Sequence, residues 1–207
     1  MSTYRLEDLK QYSDTLHTRQ GEPLNVRFVE PGDTDELQHY FRSLTTRSRY
    51  NRFFGALSEL PKGLLSEFLD VGTRERFTVV VTKMVDGFDT IVAEARYAFH
   101  AETSTLEFGL SVDDRWQGNG IATALMKNLE CRAAALGAEH IFGDTLRSNQ
   151  TMISLARKSG FAFVNHPDDW KLVRFDKEID IAPIDIPCAS WRLAALSRQV
   201  ERPSASA

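Results

Sequence analysis

The sequence predicts an α/β domain over residues 24 to 176: a mixed, mostly antiparallel central sheet with one parallel crossover and flanking helices. Three observations carry this. Between residues 76 and 112 apolar residues recur with period two in three runs joined by short polar turns, the pattern of an antiparallel meander. Residues 119 to 136 then switch to helical spacing and are followed by another apolar run at 139 to 145, so a strand, helix and strand succeed one another as in a parallel crossover. The chain of 207 residues is 42% hydrophobic and 26% charged, a balance that buries one sizeable core.

Taken in order, residues 5 to 17 place Leu6, Leu9, Tyr12 and Leu16 at helical spacing, which predicts an N-terminal helix ended by Gly21 and Pro23. Residues 24 to 29 alternate as a first strand, and Pro31-Gly32 turns the chain. Asp33 stands as N-cap to a helix over 34 to 44 with Leu37, Tyr40, Phe41 and Leu44 on one stripe. A second helix, TTRSRYNRFFG, carries Tyr50, Phe53 and Phe54 on one side and is expected to stop at Gly55; Pro61 opens a third that ends at Leu69. In the meander, Phe77, Val79 and Val81 alternate, the turn Asp86-Gly87-Phe88-Asp89 follows, and further strands occupy 90 to 99 and 105 to 112. The helix over 119 to 136 buries Ile121, Ala122, Leu125, Met126, Leu129 and Ala133 and ends at Gly137. A helix over 149 to 159 turns Met152, Leu155 and Ala156 inward, and two last strands at 161 to 164 and 171 to 175 pair around the turn His166 to Asp169. Residues 1 to 23 form a helical extension, and 177 to 207 form a proline-interrupted extension with a disordered tail.

Composition excludes several classes. A net charge of −4 opposes a nucleic-acid binder working by general attraction, though not a small basic acceptor. Cys131 and Cys188 stand alone and far apart, so neither zinc spacing nor a disulfide framework is suggested, and the reading is no metal and two reduced thiols. The first residues, MSTYRLEDLKQYSD, lack an apolar signal segment, and no run is long enough to span a bilayer, so a cytoplasmic protein without membrane contact is expected. Nothing opposes a homodimer.

The chemistry concentrates in LEFGLSVDDRWQGNGIATALMKNLECRAAAL, residues 106 to 136. A strand here delivers a glycine-bearing loop onto a helix N-terminus, where unpaired backbone N–H groups and the helix dipole favour an anion. A bare G-x-G is weak, since at a glycine frequency of about 7% a chain of this length holds about one by chance. A Rossmann fingerprint fails at Thr123, where a third glycine belongs, and at the antiparallel strands that come first. A P-loop fails because no Gly-Lys-Ser/Thr follows.

The order Arg115-x-x-Gly118-x-Gly120 after a meander strand, then NQTMISLARKSGF from Asn149 to Phe161, resembles the GNAT superfamily of acyl-CoA N-acyltransferases across residues 24 to 176. Within it, RSRYNRFFG, the ARY at 95 to 97 and EFGLSVDDRWQGNG look most like the bacterial protein lysine acetyltransferases that modify acyl-CoA synthetases. The resemblance implies acetyl-CoA as donor and an amine acceptor, a protein lysine in the first reading. Alternatives are a small-molecule amine or amino-acid acetyltransferase, and a non-catalytic acyl-CoA-binding sensor.

By this resemblance, backbone N–H groups of Gln117, Gly118, Asn119, Gly120, Ile121 and Ala122 hold the pyrophosphate, with side-chain contacts from Arg115, Gln117 and Asn119. Asn149 contacts the pantetheine arm, with a plain helix cap as its rival. Leu110, Ser111 and Val112 lie along the donor, and a backbone N–H of Leu110 or Val112 polarises the thioester oxygen. Gly109 would suit a β-bulge in that strand. Glu107 is the general base, acting through water and desolvated by Leu106, Phe108 and Leu110; its bland counterpart is an exposed strand carboxylate. Many family members have a tyrosine acid where this chain has Ala156, and the lysine acetyltransferase relatives share the alanine. Arg47, Arg49 and Arg52 meet an anion or form a solvated face, Trp116 packs, and His100 and His140 are structural.

Overall fold

A computed structural model describes residues 13–201. Its spine is the meander of β3 (Arg76–Val85), β4 (Phe88–His100) and β5 (Thr105–Val112). The sharp turn Asp86-Gly87, both residues left-handed, suits the twist of a two-residue hairpin. On one side the sheet extends through β2 (Pro23–Phe28) to β1 (Asp14–His17), on the other through β6 (His140–Leu146) and β8 (Leu172–Glu178) to β7 (Ala162–Asn165). Every neighbouring pair is antiparallel except β5 with β6.

That parallel seam is short. β5 and β6 pair only at Thr105↔His140, Leu106↔Ile141 and Glu107↔Phe142. Beyond it β5 stays on β4 as far as Val112 and β6 stays on β8 as far as Leu146, so the two strands part and the sheet splits. α4 (Ile121–Leu136) makes the crossover between them.

The face of β4 and β5 that carries Glu94, Arg96 and Ser111 is covered by α1 (Thr34–Ser43), α2 (Thr46–Phe53) and α3 (Lys62–Leu69). The opposite face, with Tyr97 and Phe108, lies towards α4. α5 (Gln150–Lys158) follows β6, and α6 (Ala189–Glu201) packs on the outside of α4. Because α4 is covered from both sides, it buries Asn128, Cys131 and Arg132 as well as the expected apolar stripe. The Arg132 guanidinium is fully enclosed, 4.5 Å over Trp191 and 5.1 Å over Phe28, and donates to the Tyr97 hydroxyl and Asn128. Aromatic faces thereby take part of the place of water around a buried cation.

Several expectations need correction. The predicted N-terminal helix does not hold for residues 14 to 17, which form β1 with Leu16 opposite Leu24; residues 1 to 12 lie outside those described. A short helix is marginal on its own, and pairing with β2 decides the outcome. α2 stops at Phe54, left-handed at φ 54°, one residue before Gly55. Asp33 occupies the N-cap position, but its carboxylate accepts from Arg27 and the Glu30 amide instead of capping. Cys131 and Cys188 form a disulfide, because α4 and the residues leading into α6 meet across 57 positions of sequence. The proline-interrupted segment is not merely an appendage either: Ile186 and Trp191 are buried in the main core.

Candidate active site

The divergence of β5 and β6 opens a cleft of about 970 Å³ that runs from the α4 N-terminus to Glu107. Of the predicted site residues, Glu107, Leu110, Ser111, Val112, Gln117, Gly118, Gly120, Ile121, Ala122 and Asn149 line it; Arg115 and Asn119 do not. The phase of the β4–β5 ladder shows what β5 offers. Asp113 N–H donates to Val92 C=O at 3.0 Å, which makes that pair hydrogen-bonded and fixes the alternation along β5. The N–H groups of Leu110 and Val112 therefore point away from β4, into the split, while that of Phe108 faces β6 in the last rung of the seam, Glu107↔Phe142. The carbonyl of Val112 on the same edge accepts from the Gln117 amide at 3.1 Å.

β5 runs against β4 without a register shift, so no bulge occurs at Gly109; the irregularity lies between β3 and β4 at Val81/Thr82. Gly109 has another use. A Cβ there would lie 2.7 Å from Nη1 of Arg52, which crosses the strand to reach Glu94. Arg52 Nε and Nη2 donate to Glu94 at 2.7 and 3.1 Å, and Nη2 also reaches the Gly109 carbonyl. Ser111 donates its proton to Glu94 at 2.7 Å, which leaves the Tyr40 hydroxyl to donate to Ser111 at 2.9 Å. Burial and the adjacent Glu94 carboxylate push the Tyr40 phenol well up, so it remains a neutral donor. This buried network escaped sequence reasoning because its members lie 17 to 71 positions apart. Arg49 likewise turns inward, to the Leu44 carbonyl, while Arg47 is exposed on the cleft.

At the α4 end, Gly118 and Gly120 have left-handed φ of 80° and 86°, a backbone that side chains disfavour. The N-cap position is Gly120, with no side-chain cap bond and no acidic residue in the first turn. The first N–H groups of α4 are therefore free of intrahelical partners and face the cleft with the positive end of the dipole, a cradle that fits a phosphate.

Arg115 corrects the motif reading. Its guanidinium is bound by Asp113 at 3.0 and 2.6 Å, and Asp113 also takes the Arg115 N–H and the Ser43 hydroxyl. Burial alone would raise the Asp113 carboxyl, yet those hydrogen bonds hold it below the usual range. A neighbour two residues away thus engages the side chain expected at the phosphate. Asp114 accepts from the Thr45 N–H and hydroxyl and from Ser48, tying α2 to the loop. The Gln117 side chain is engaged with Val112, and the Asn119 carbonyl accepts from the Arg19 N–H. Asn149 caps α5 at the Met152 N–H and donates to Thr145, so the cap reading holds for its side chain, which still borders the cleft.

At the other end the Glu107 side chain is 53% exposed, with an oxygen 3.4 Å from Nε2 of His100. Leu106 and Phe108 do not desolvate it, because strand alternation sends them to the opposite face. His100, expected to be structural, thus stands beside the candidate base. The same face carries a group the sequence did not reveal: Asp144, held by Arg174 at 2.9 and 2.8 Å and 3.4 Å from His166, on the cleft wall across the split. His140 pairs with Asp176 and Trp116 packs under Lys83, as structural roles require.

A split parallel seam, an open helix N-terminus at one end and a carboxylate at the other meet the comparison with known proteins here. The acetyltransferase (GNAT) family matches residues 38–161, well over half of the chain. This chain belongs to the GNAT family. It is thereby an acyl-CoA-dependent N-acetyltransferase. Acetyltransferase PA5475 of Pseudomonas aeruginosa is 26% identical over 72% of this chain and 80% of its own length. Acetyltransferase Pat of Mycolicibacterium smegmatis is 26% identical over 82% of this chain, but the chain spans only 49% of that protein. Among solved structures, the GNAT domain of S. lividans PAT superposes with a TM-score of 0.74 at 21% identity, covering 84% of this chain and 99% of that domain. That likeness establishes the fold.

Proposed function

We propose that this GNAT protein transfers an acetyl group from acetyl-CoA directly to a protein lysine, with Glu107 as general base through an ordered water. The carrying observation is the line of features along the split sheet. Backbone N–H groups without intrahelical partners lie at the α4 end, outward N–H groups of Leu110 and Val112 in the middle, and the Glu107 carboxylate at the seam. The resemblance of RSRYNRFFG, the ARY at 95 to 97 and EFGLSVDDRWQGNG to bacterial protein lysine acetyltransferases favours lysine over a small amine.

The residues divide the work as follows. The α4 N-terminus and the loop before it hold the donor pyrophosphate, and the β5 edge holds the pantetheine as an added strand would be held. A lysine amine with a pKa of about 10.4 is protonated near neutral pH, and freeing it costs about 4 to 5 kcal/mol. Glu107 relays that proton through water, which its half-exposed position admits, as the amine nitrogen bonds to the thioester carbon. An N–H of Leu110 or Val112 stabilises the oxyanion, and the C–S bond then breaks. Ala156 supplies no acid and is fully buried. A thiol with pKa of about 8.5 leaves as thiolate without one.

The test is thiol release from acetyl-CoA with lysine peptides, intact acyl-CoA synthetases and small amines as acceptors. Turnover on protein lysines is expected. Turnover confined to small amines overturns the lysine assignment, and tight CoA binding without turnover on any acceptor makes the chain a binding module.

A further inference from the structure

We infer that Arg19, on the turn between β1 and β2, supplies the cationic side chain for the donor pyrophosphate, the role the motif assigns to Arg115. The inference rests on the acetyl-CoA reading above. Residue 19 lies before the stretch matched by the family, so no family motif assigns it.

The geometry is specific. The turn from Thr18 to Glu22 is closed by Thr18 N–H to Glu22 C=O, Gly21 N–H to Thr18 C=O, and Glu22 N–H to the Thr18 hydroxyl, all 3.0 to 3.1 Å. It is pinned to the loop before α4 twice. Arg19 N–H donates to the Asn119 carbonyl at 2.8 Å, and Glu22 pairs with Lys83, whose ammonium lies 4.6 Å over the Trp116 ring. The Arg19 stem runs across Gly120, where a Cβ would come within 2.9 Å of its Cγ and 3.7 Å of its Nε. The second loop glycine therefore admits Arg19 as well as a ligand. The side chain is exposed and lines the cleft, and among the described residues its guanidinium has no hydrogen-bond or ion-pair partner. Arg115 is the reverse case, close in sequence to the loop but bound to Asp113. A guanidinium held over a helix N-terminus adds five donors where backbone N–H groups already favour an anion, and it matches phosphate oxygens in pairs.

The experiment is calorimetric titration of the wild-type chain, Arg19→Met and Arg19→Lys with CoA and with dephospho-CoA, alongside acetyl transfer rates from S-acetylpantetheine. Met keeps the stem over Gly120 and removes the charge. Arg19→Met is expected to weaken CoA and dephospho-CoA alike, about tenfold at low salt, with the difference shrinking as salt rises. Arg19→Lys should recover part of the loss, and rates with S-acetylpantetheine, which carries no phosphate, should be unchanged. Three results overturn the assignment: CoA affinity of Arg19→Met within twofold of wild type, equal losses with S-acetylpantetheine, or a loss with CoA that vanishes with dephospho-CoA, which moves the contact to the 3′-phosphate. Wild-type protein that does not bind CoA refutes the donor reading itself, and the role of Arg19 with it.

Discussion

At the α4 end of the cleft nearly every side chain is committed to another protein group, whereas at the Glu107 end the polar groups stand partly in water. Asp113, Asp114 and Gln117 are all engaged within the loop or with α1 and α2, and what remains for a ligand is mostly backbone. Glu107 and His100 keep their heads half exposed, and the Arg52, Glu94, Ser111 and Tyr40 network on the same face is dry. On the proposed reading, a backbone cradle would recognise what every acyl-CoA shares. Exposed side chains can be exchanged with little cost to the core, and the proposed reading assigns acceptor choice to them.

The largest effect expected from breaking this division is chemical. Glu107→Gln should lower kcat by two to four orders of magnitude in thiol-release assays while CoA affinity stays put, since the carboxylate is at the far end from the cradle. Loss of both together would mean that the two ends are not separable. Next in size, Arg52→Met leaves Glu94, only 2% exposed, without its counter-charge and should cost about 3 to 5 kcal/mol in denaturant unfolding. Gly120→Ala forces a left-handed alanine and should cost about 1 to 2 kcal/mol, with weakened CoA binding because Arg19 must move. A variant as stable and as tight as wild type would show that the loop is not the cradle.

The smallest effect concerns Arg115→Met. Arg115 is largely exposed, so about 1 kcal/mol is expected, with CoA affinity unchanged. Its sign with pH follows from Asp113, whose folded carboxyl is held below the ordinary value of about 3.9. Stabilisation from such a group is present above that value and is lost as pH falls through the folded one. Urea unfolding of wild type and variant should therefore converge as pH drops below about 4.

Much of this was readable from the sequence because local periods suffice for local elements. The meander, α1, α4 and β6 show in residue spacing, and the order of strand, glycine loop and helix places the open helix N-terminus. Direction was not readable. Arg115 is correctly placed in the chain but turned by Asp113, and Glu107 keeps its strand position while its apolar neighbours face the other way. The Tyr40, Ser111, Glu94 and Arg52 network needs partners brought from four elements, and β1 becomes a strand only because β2 lies beside it. Tertiary pairing of this kind leaves no period to detect.

The three-rung seam between β5 and β6 has a mechanical consequence. It is the narrowest hydrogen-bonded neck in an eight-stranded sheet, so β6, β7 and β8 can breathe against the remainder with few bonds to strain. A molecule lying along the free edge from Gly109 to Val112 would serve as a splint across that neck. Amide hydrogen exchange should then slow across β6, β8 and the outermost β7 when the cleft is filled, a stiffening that reports occupancy without any change of shape.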